Sequence, residues 1–259
     1  MGGSTKACLF CGRTGQKLTR EHVYPRWLTK SLNITGGIKF SNDAGVLRSA
    51  TELDVQVREV CQDCNNGWLY DLERAFRAVM HWPLNGFGPL AMPKPVQLVV
   101  ALWATKQWLL IERSLAYLRG GETPMYAGPE VFGWLREKSE PPSTFQVWIG
   151  AMDRESVRAA ATVSFVGTHL VGVEEPPVGI AGVFTIGCVL FVVYAPYGGL
   201  LPDLGFYRLG IGKRLADHLV QIWPHKAEEV RWPPLGILRR SDLDHLWPSG
   251  FRIPAKPPQ

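Results

Sequence analysis

A chain of 259 residues that is 46% apolar has enough material for a sizeable core, as one large domain or two small ones. A formal charge of +5 and a pI near 9.0 permit a polyanionic partner without demanding one. Ten tryptophans, and no long block of like charge, exclude a disordered, solvating polymer.

Met1 to Leu9 has no long apolar core, so no secretory signal is expected and the cytoplasm is the expected compartment. Residues 7–18 read as a knuckle, in which Cys8 and Cys11 can grip one metal and Gly12 allows the turn that aims amides at the sulfurs. Leu18 to Tyr24 suits a short strand ended by Pro25. Residues 33–51 are polar and glycine-bearing and read as a loop. Leu53 to Val60 alternates apolar and polar residues, the pattern of a half-buried strand. Cys61 and Cys64 follow. Leu69, Leu72, Phe76 and Val79 then recur at helical spacing, so this second cysteine pair opens a helix that ends near His81.

The cluster from His81 to Pro89, extended by Pro93 and Pro95, breaks the pattern and suggests two domains, 1–85 and 93–259. Val96 to Ile111 reads as a buried helix. Strand-like runs follow at Phe145–Met152, Ala160–Val166 and Val183–Tyr194, with a turn at Gly198-Gly199 and a short helix between Arg214 and Ile222. The stretch from Val178 to Ala195 is uncharged over a membrane-spanning length. Its glycines and its Val, Ile, Phe and Thr content favour a buried strand pair, so no membrane partner is expected. The Trp-Pro elements at Trp223, Trp232 and Trp247 read as packing corners. The fold class expected is α+β, with a mainly antiparallel sheet in the second domain.

Cys8, Cys11, Cys61 and Cys64 form a two-by-two set suited to a closed, structural zinc site; the plainer alternative is that one pair is simply buried thiol. Glu21 and His22 are adjacent on a strand and should face opposite ways, so they converge only if the backbone twists or something bridges them. Asn65 and Asn66 sit at the first turn of the helix. Asn65 also suits a positive-φ corner, and Asn66 a helix cap. His81, His169, His218, His225 and His245 share no ligand spacing.

Glu-His-Val-x-Pro between two Cys-x-x-Cys pairs, with Cys-Asn-Asn leading into a helix, resembles the HNH endonuclease family over about residues 7–77. Those are ββα-metal nucleases, so the resemblance implies an N-terminal zinc-stapled finger of that kind. The larger α+β domain would then serve targeting, assembly or regulation. It implies hydrolysis of DNA phosphodiesters with Mg²⁺ or another divalent ion, His22 as general base, and Glu21 and Asn65 as ligands of that ion. The family's central Asn has no counterpart in Asp54 to Glu59; Gln56 or Asn42 is the candidate replacement. Two other readings share the scaffold: an RNase, and a non-catalytic zinc-stabilised module that binds nucleic acid. Arg20, Arg26 and Lys30 fit phosphate contacts or a solvated surface equally, and Trp27 is placed to touch a nucleotide.

Overall fold

The computed structural model describes residues 6–32, 38–42, 45–50, 55–118, 128–155, 163–168, 179–196, 210–211, 213–239, 241–242 and 251–252. The first part of the chain runs β1 (Leu18–His22), α1 (Arg26–Ser31), β2 (Ile38–Asn42), β3 (Gly45–Ala50) and β4 (Gln56–Cys61). Then come α2 (Gln62–Cys64), a π-helical turn (Asn65–Leu69), α3 (Tyr70–Leu84), β5 (Leu90–Pro93), α4 (Lys94–Leu118) and α5 (Glu130–Lys138). The remainder is β6 (Gln146–Met152), β7 (Val163–Thr168), β8 (Gly179–Ile186), β9 (Val189–Pro196), β10 (Gly210–Ile211), α6 (Lys213–Ala216), β11 (Leu219–Trp223), β12 (Glu229–Trp232), β13 (Ile237–Leu238) and β14 (Phe251–Arg252). Helices and mainly antiparallel sheets are thus mixed, as the α+β pattern requires.

In the N-terminal part β1 pairs antiparallel with β4. Val57 and Val60 of β4 are both buried while Arg58 is exposed, because β4 carries an extra residue between them that breaks the alternation of faces. Residues 38–50 are not the loop expected: β2 and β3 pair as an antiparallel hairpin. Ile38-Lys39-Phe40-Ser41 alternates apolar and polar residues, a strand signal that the surrounding glycines obscure. The long helix follows directly on β4. It ends three residues beyond His81, with Pro83 inside its last turn.

The main sheet has the order β11-β6-β9-β8-β7, with β13 joining β6 in parallel. Every residue of β6, β8 and β9 is buried. This explains the long uncharged stretch: β8 and β9 form the expected strand pair, and among the described residues no helix is long and apolar enough to cross a membrane. Their turn docks on the end of α3, where the Cys188 amide donates to the Leu84 carbonyl at 2.9 Å. A Cβ on Gly187, at φ 54°, would strike that same carbonyl, so the close approach needs glycine there. Between Arg214 and Ile222 only the start is helical. From Leu219 the chain is β11, because Leu219 and Ile222 are buried and its backbone completes the sheet beside β6. The buried Trp223 and Trp232 donate their indole N–H groups to the carbonyls of Pro142 and Gly150, at 2.9 and 3.0 Å, and so act as packing corners. Gly198-Gly199, Trp247, His169 and His245 lie outside the described residues.

One apolar cluster runs from Cys8 and Phe10 through α3 and α4 to Trp232. At its centre the Phe76 ring stacks on Trp103, with centroids 3.7 Å apart and planes 8° from parallel. Polar ties cross the same boundary. Arg113 of α4 grips Glu59 of β4 with two bonds of 2.7 and 2.8 Å, and the Gln107 side chain donates to the Val23 carbonyl. Phe76→Ala is therefore expected to cost about 3–5 kcal/mol in chemical denaturation. A loss below about 1 kcal/mol would show that α3 and α4 do not share a close-packed core.

Candidate metal centre and adjoining cleft

The knuckle of residues 8–12 is pinned to β4. Leu9 donates its amide to the Glu59 carbonyl at 2.8 Å, and Phe10 packs edge-on against Phe132 of α5. Gly12 takes φ 68° and closes the turn by donating to the Cys8 carbonyl at 2.9 Å. The Sγ atoms of Cys8, Cys11, Cys61 and Cys64 all come within 4.8 Å of one another. Cys11 and Cys61 are 3.7 Å apart, close to the ~3.8 Å edge of a tetrahedron with ~2.3 Å metal–sulfur bonds. The Cys61 amide points at the Cys8 sulfur from 3.2 Å.

The electrostatics of the cluster favour a cation. Burial works against the Cys8 thiolate, yet amides of Cys61, Cys11 and Phe10 outweigh it and lower that pKa. Burial raises Cys61, and burial with the charge of Cys8 raises Cys64 strongly. Without a metal, burial and the negative charge of Cys8 both oppose the Cys64 thiolate. A dication removes that conflict. The donor set is soft and four-sulfur, so the residues fit zinc.

Beside the cluster lies a cleft of about 360 Å³ whose lining includes Glu21, His22, Asn65 and Glu73. Adjacent residues of β1 line one cleft just past an irregularity in the ladder: Thr19 and Glu21, two apart, pair with Val60 and Val57, three apart, so β4 carries one extra residue. Such a bulge adds local twist and re-aims side chains. Glu21 is buried, and His22 is half-buried. His22 stands opposite Gln56 in the ladder, and the Gln56 amide nitrogen lies 3.5 Å from His22 Nε2. Of the two candidates for the missing Asn, Gln56 is thus beside the histidine. The side chain of Asn42, at the end of β2, lies outside the described residues.

Asn65 does not occupy a positive-φ corner; at φ −67° and ψ −49° it is helical. It opens the π-helical turn, a wider coil often found at functional sites. Its amide nitrogen donates to Thr19 Oγ1 at 2.9 Å and to the Arg20 carbonyl at 3.4 Å, which leaves the amide oxygen for a cation. Thr19 in turn donates to the Val60 carbonyl at 3.0 Å, so the helix start is laced to both strands of the hairpin. Asn66 lies within the same turn and makes no capping bond.

Two residues of this region carry no motif in the sequence. The Glu73 carboxylate accepts from Trp103 Nε1 at 2.8 Å, from Trp27 Nε1 at 3.3 Å and from the Lys106 ammonium at 2.5 Å. Lys106 is fully buried, and its Nζ also lies 4.0 Å from Glu21 Oε1. A weaker signal is present: Lys106 is the one charged residue between Val96 and Ile111, and a lysine in a buried helix needs an acidic partner. Burial raises the Glu21 pKa to about 7, with Lys106 pulling it down and Glu73 pushing it up. The cleft mouth carries Arg26, Arg74, Arg77 and Tyr70. Tyr70 is 60% exposed, and the Arg77 guanidinium sits 5.5 Å from the Trp27 ring centroid.

Purified protein should carry close to one equivalent of zinc by atomic emission, since four thiolates define one closed site. Cys61→Ser should lose it and disorder the knuckle; retained stoichiometric zinc would refute the site. A second expectation concerns pH. The Glu21 pKa is higher folded than unfolded, so the folded state binds the proton more tightly. The resulting destabilisation is absent below the ordinary value of 4.5, grows up to about 7 and is complete above it. Without added divalent ion, Glu21→Gln should thus stabilise the protein at pH 8 by up to ~3 kcal/mol. It should stabilise little at pH 4.5, and a pH-independent effect would contradict the burial of this charge.

No family model, curated protein or solved structure matches this chain.

Proposed function

We propose that the protein is a zinc-stapled, metal-dependent nuclease of the HNH type that hydrolyses phosphodiester bonds in DNA. One observation carries the reading: Glu21, His22 and Asn65 line a single cleft beside the four-cysteine cluster. They come from β1, opposite the bulge of β4, and from the first turn of the following helix, the two elements that the ββα-metal resemblance concerns.

The Glu21 carboxylate and the Asn65 amide oxygen are hard donors suited to Mg²⁺ or Mn²⁺. At 4.0 Å the Lys106 contact is a charge pair rather than a hydrogen bond, so it leaves the Glu21 oxygens able to coordinate. When bound, such an ion supplies charge stabilisation at the phosphate and the leaving oxygen. His22 takes the proton from the attacking water, a general-base role that imidazole commonly fills. The Gln56 amide, 3.5 Å from His22 Nε2, is placed to orient the imidazole ring. Arg26, Arg74 and Arg77 at the mouth fit phosphates, and Tyr70 offers a face on which a base can stack. Phosphate contacts do not discriminate between sugars, so RNA is tested beside DNA.

His22→Ala should reduce Mg²⁺- or Mn²⁺-dependent cleavage by about a hundredfold or more, with zinc content and melting temperature unchanged. Gln56→Leu should lose less, about tenfold, because it disturbs the orientation of the base rather than the base itself. The measurement is cleavage of labelled DNA, with RNA in parallel. Wild-type protein that binds DNA but cuts neither polymer would support the non-catalytic module, and cleavage of RNA alone would make it an RNase.

A further inference from the structure

Lys106 has no part in the chemistry above, yet α4 delivers its ammonium to the back of the cleft. It does not line the cleft wall. It is fully buried, 2.5 Å from Glu73 Oε1 and 4.0 Å from Glu21 Oε1. Burying a lysine costs heavily unless it is paired, and burying two neighbouring carboxylates costs as much. Here the three groups offset one another. Trp103 donates to that same Glu73 Oε1 and Trp27 to Oε2, so both oxygens of Glu73 have partners.

With both carboxylates ionised, Glu21 and Glu73 contribute two negative charges and Lys106 one positive, so the group presents a single negative charge to the cleft. The guanidinium groups at the mouth add positive charge, and that of Arg74 is shared with Asp71 at 3.3 Å. A dication entering alone meets one net carboxylate and neighbouring cations. The same dication entering with a phosphodiester brings its missing counter-charge along, which is how Mg²⁺ is commonly held in phosphate-processing sites.

We propose that Lys106 is the built-in counter-charge of the Glu21–Glu73 pair, and that it makes divalent-ion binding conditional on phosphate. This rests on the reading of the cleft as a nuclease site. Lys106 is then a positioning residue, and the C-terminal part of the chain contributes to the site through α4.

The test uses zinc-loaded, full-length protein in a His22→Ala background, with Mn²⁺ binding followed by loss of the free-ion electron paramagnetic resonance signal. Mn²⁺ is hard and does not compete for the thiolates. With Lys106 in place, binding should be weak, and a short DNA duplex should tighten it about tenfold or more. K106M should tighten binding without DNA by about tenfold or more and shrink the DNA effect, because one positive charge has left the ion's surroundings. E73Q/K106M restores the net charge and should return binding to the Lys106 level. Should K106M fail to fold, judged by zinc content and near-ultraviolet circular dichroism, E73Q with DNA present decides. It removes one negative charge and should weaken Mn²⁺ about tenfold. A folded K106M with unchanged or weaker Mn²⁺ affinity overturns the inference, as does an indifferent E73Q. If K106M tightens Mn²⁺ but the protein with His22 restored cuts no nucleic acid, the counter-charge stands and the nuclease reading falls. If cleavage persists while K106M is neutral toward Mn²⁺, the nuclease reading stands and the counter-charge falls.

Discussion

Four thiols gathered within 4.8 Å join two places that are fifty residues apart in sequence. One pair sits just before β1, and the other closes β4 and opens the long helix. Without a bond at that point, hairpin and helix would rely on the shared apolar cluster, a few side-chain ties and a two-strand ladder, and two-stranded ladders are marginal. With it, the bulged ladder of β1 and β4 and the π-helical turn after Cys64 hold a fixed relation. The cleft follows from that relation. Glu21 and His22 enter it from the stretch of β1 just past the bulge in β4, and Asn65 enters because its turn starts immediately after the last thiol.

The second constraint is the buried charge set behind the cleft. Glu73 gathers two indole N–H groups and an ammonium, and so links α1, α3 and α4 through one carboxylate. Such groups are costly singly and tolerable together, so removing one partner hurts more than its bond alone suggests. Arg113 with Glu59, and Gln107 with the Val23 carbonyl, add polar ties from α4 to the hairpin region. α4 thereby stands behind the candidate site without lining it.

Much of this is legible in the sequence, where spacing alone carries it. The two Cys-x-x-Cys pairs, the helical stripe Leu69-Leu72-Phe76 and the buried strand pair at 179–196 all have a local period or spacing to read. What is not legible depends on contacts between distant residues. Lys106 reads as one polar residue in an apolar helix until Glu73 and Glu21 are placed beside it. The hairpin at 38–50 is hidden by its glycines, and β11 by a helical prefix that lasts only to Ala216. By sequence Asn65 suits a ligand or a turn former; its helical dihedrals remove the second. Gln56 and Asn42 are indistinguishable by sequence, and the ladder register of β1 with β4 sets Gln56 against His22.

The cleft stands or falls with the four sulfurs sharing one metal, and X-ray absorption at the zinc edge of the purified protein tests that directly. A single shell of four sulfurs at about 2.3 Å is the result expected. A mixed shell with nitrogen or oxygen neighbours, or fewer than four sulfurs, would mean that the staple is built differently and that the cleft beside it lacks the foundation described.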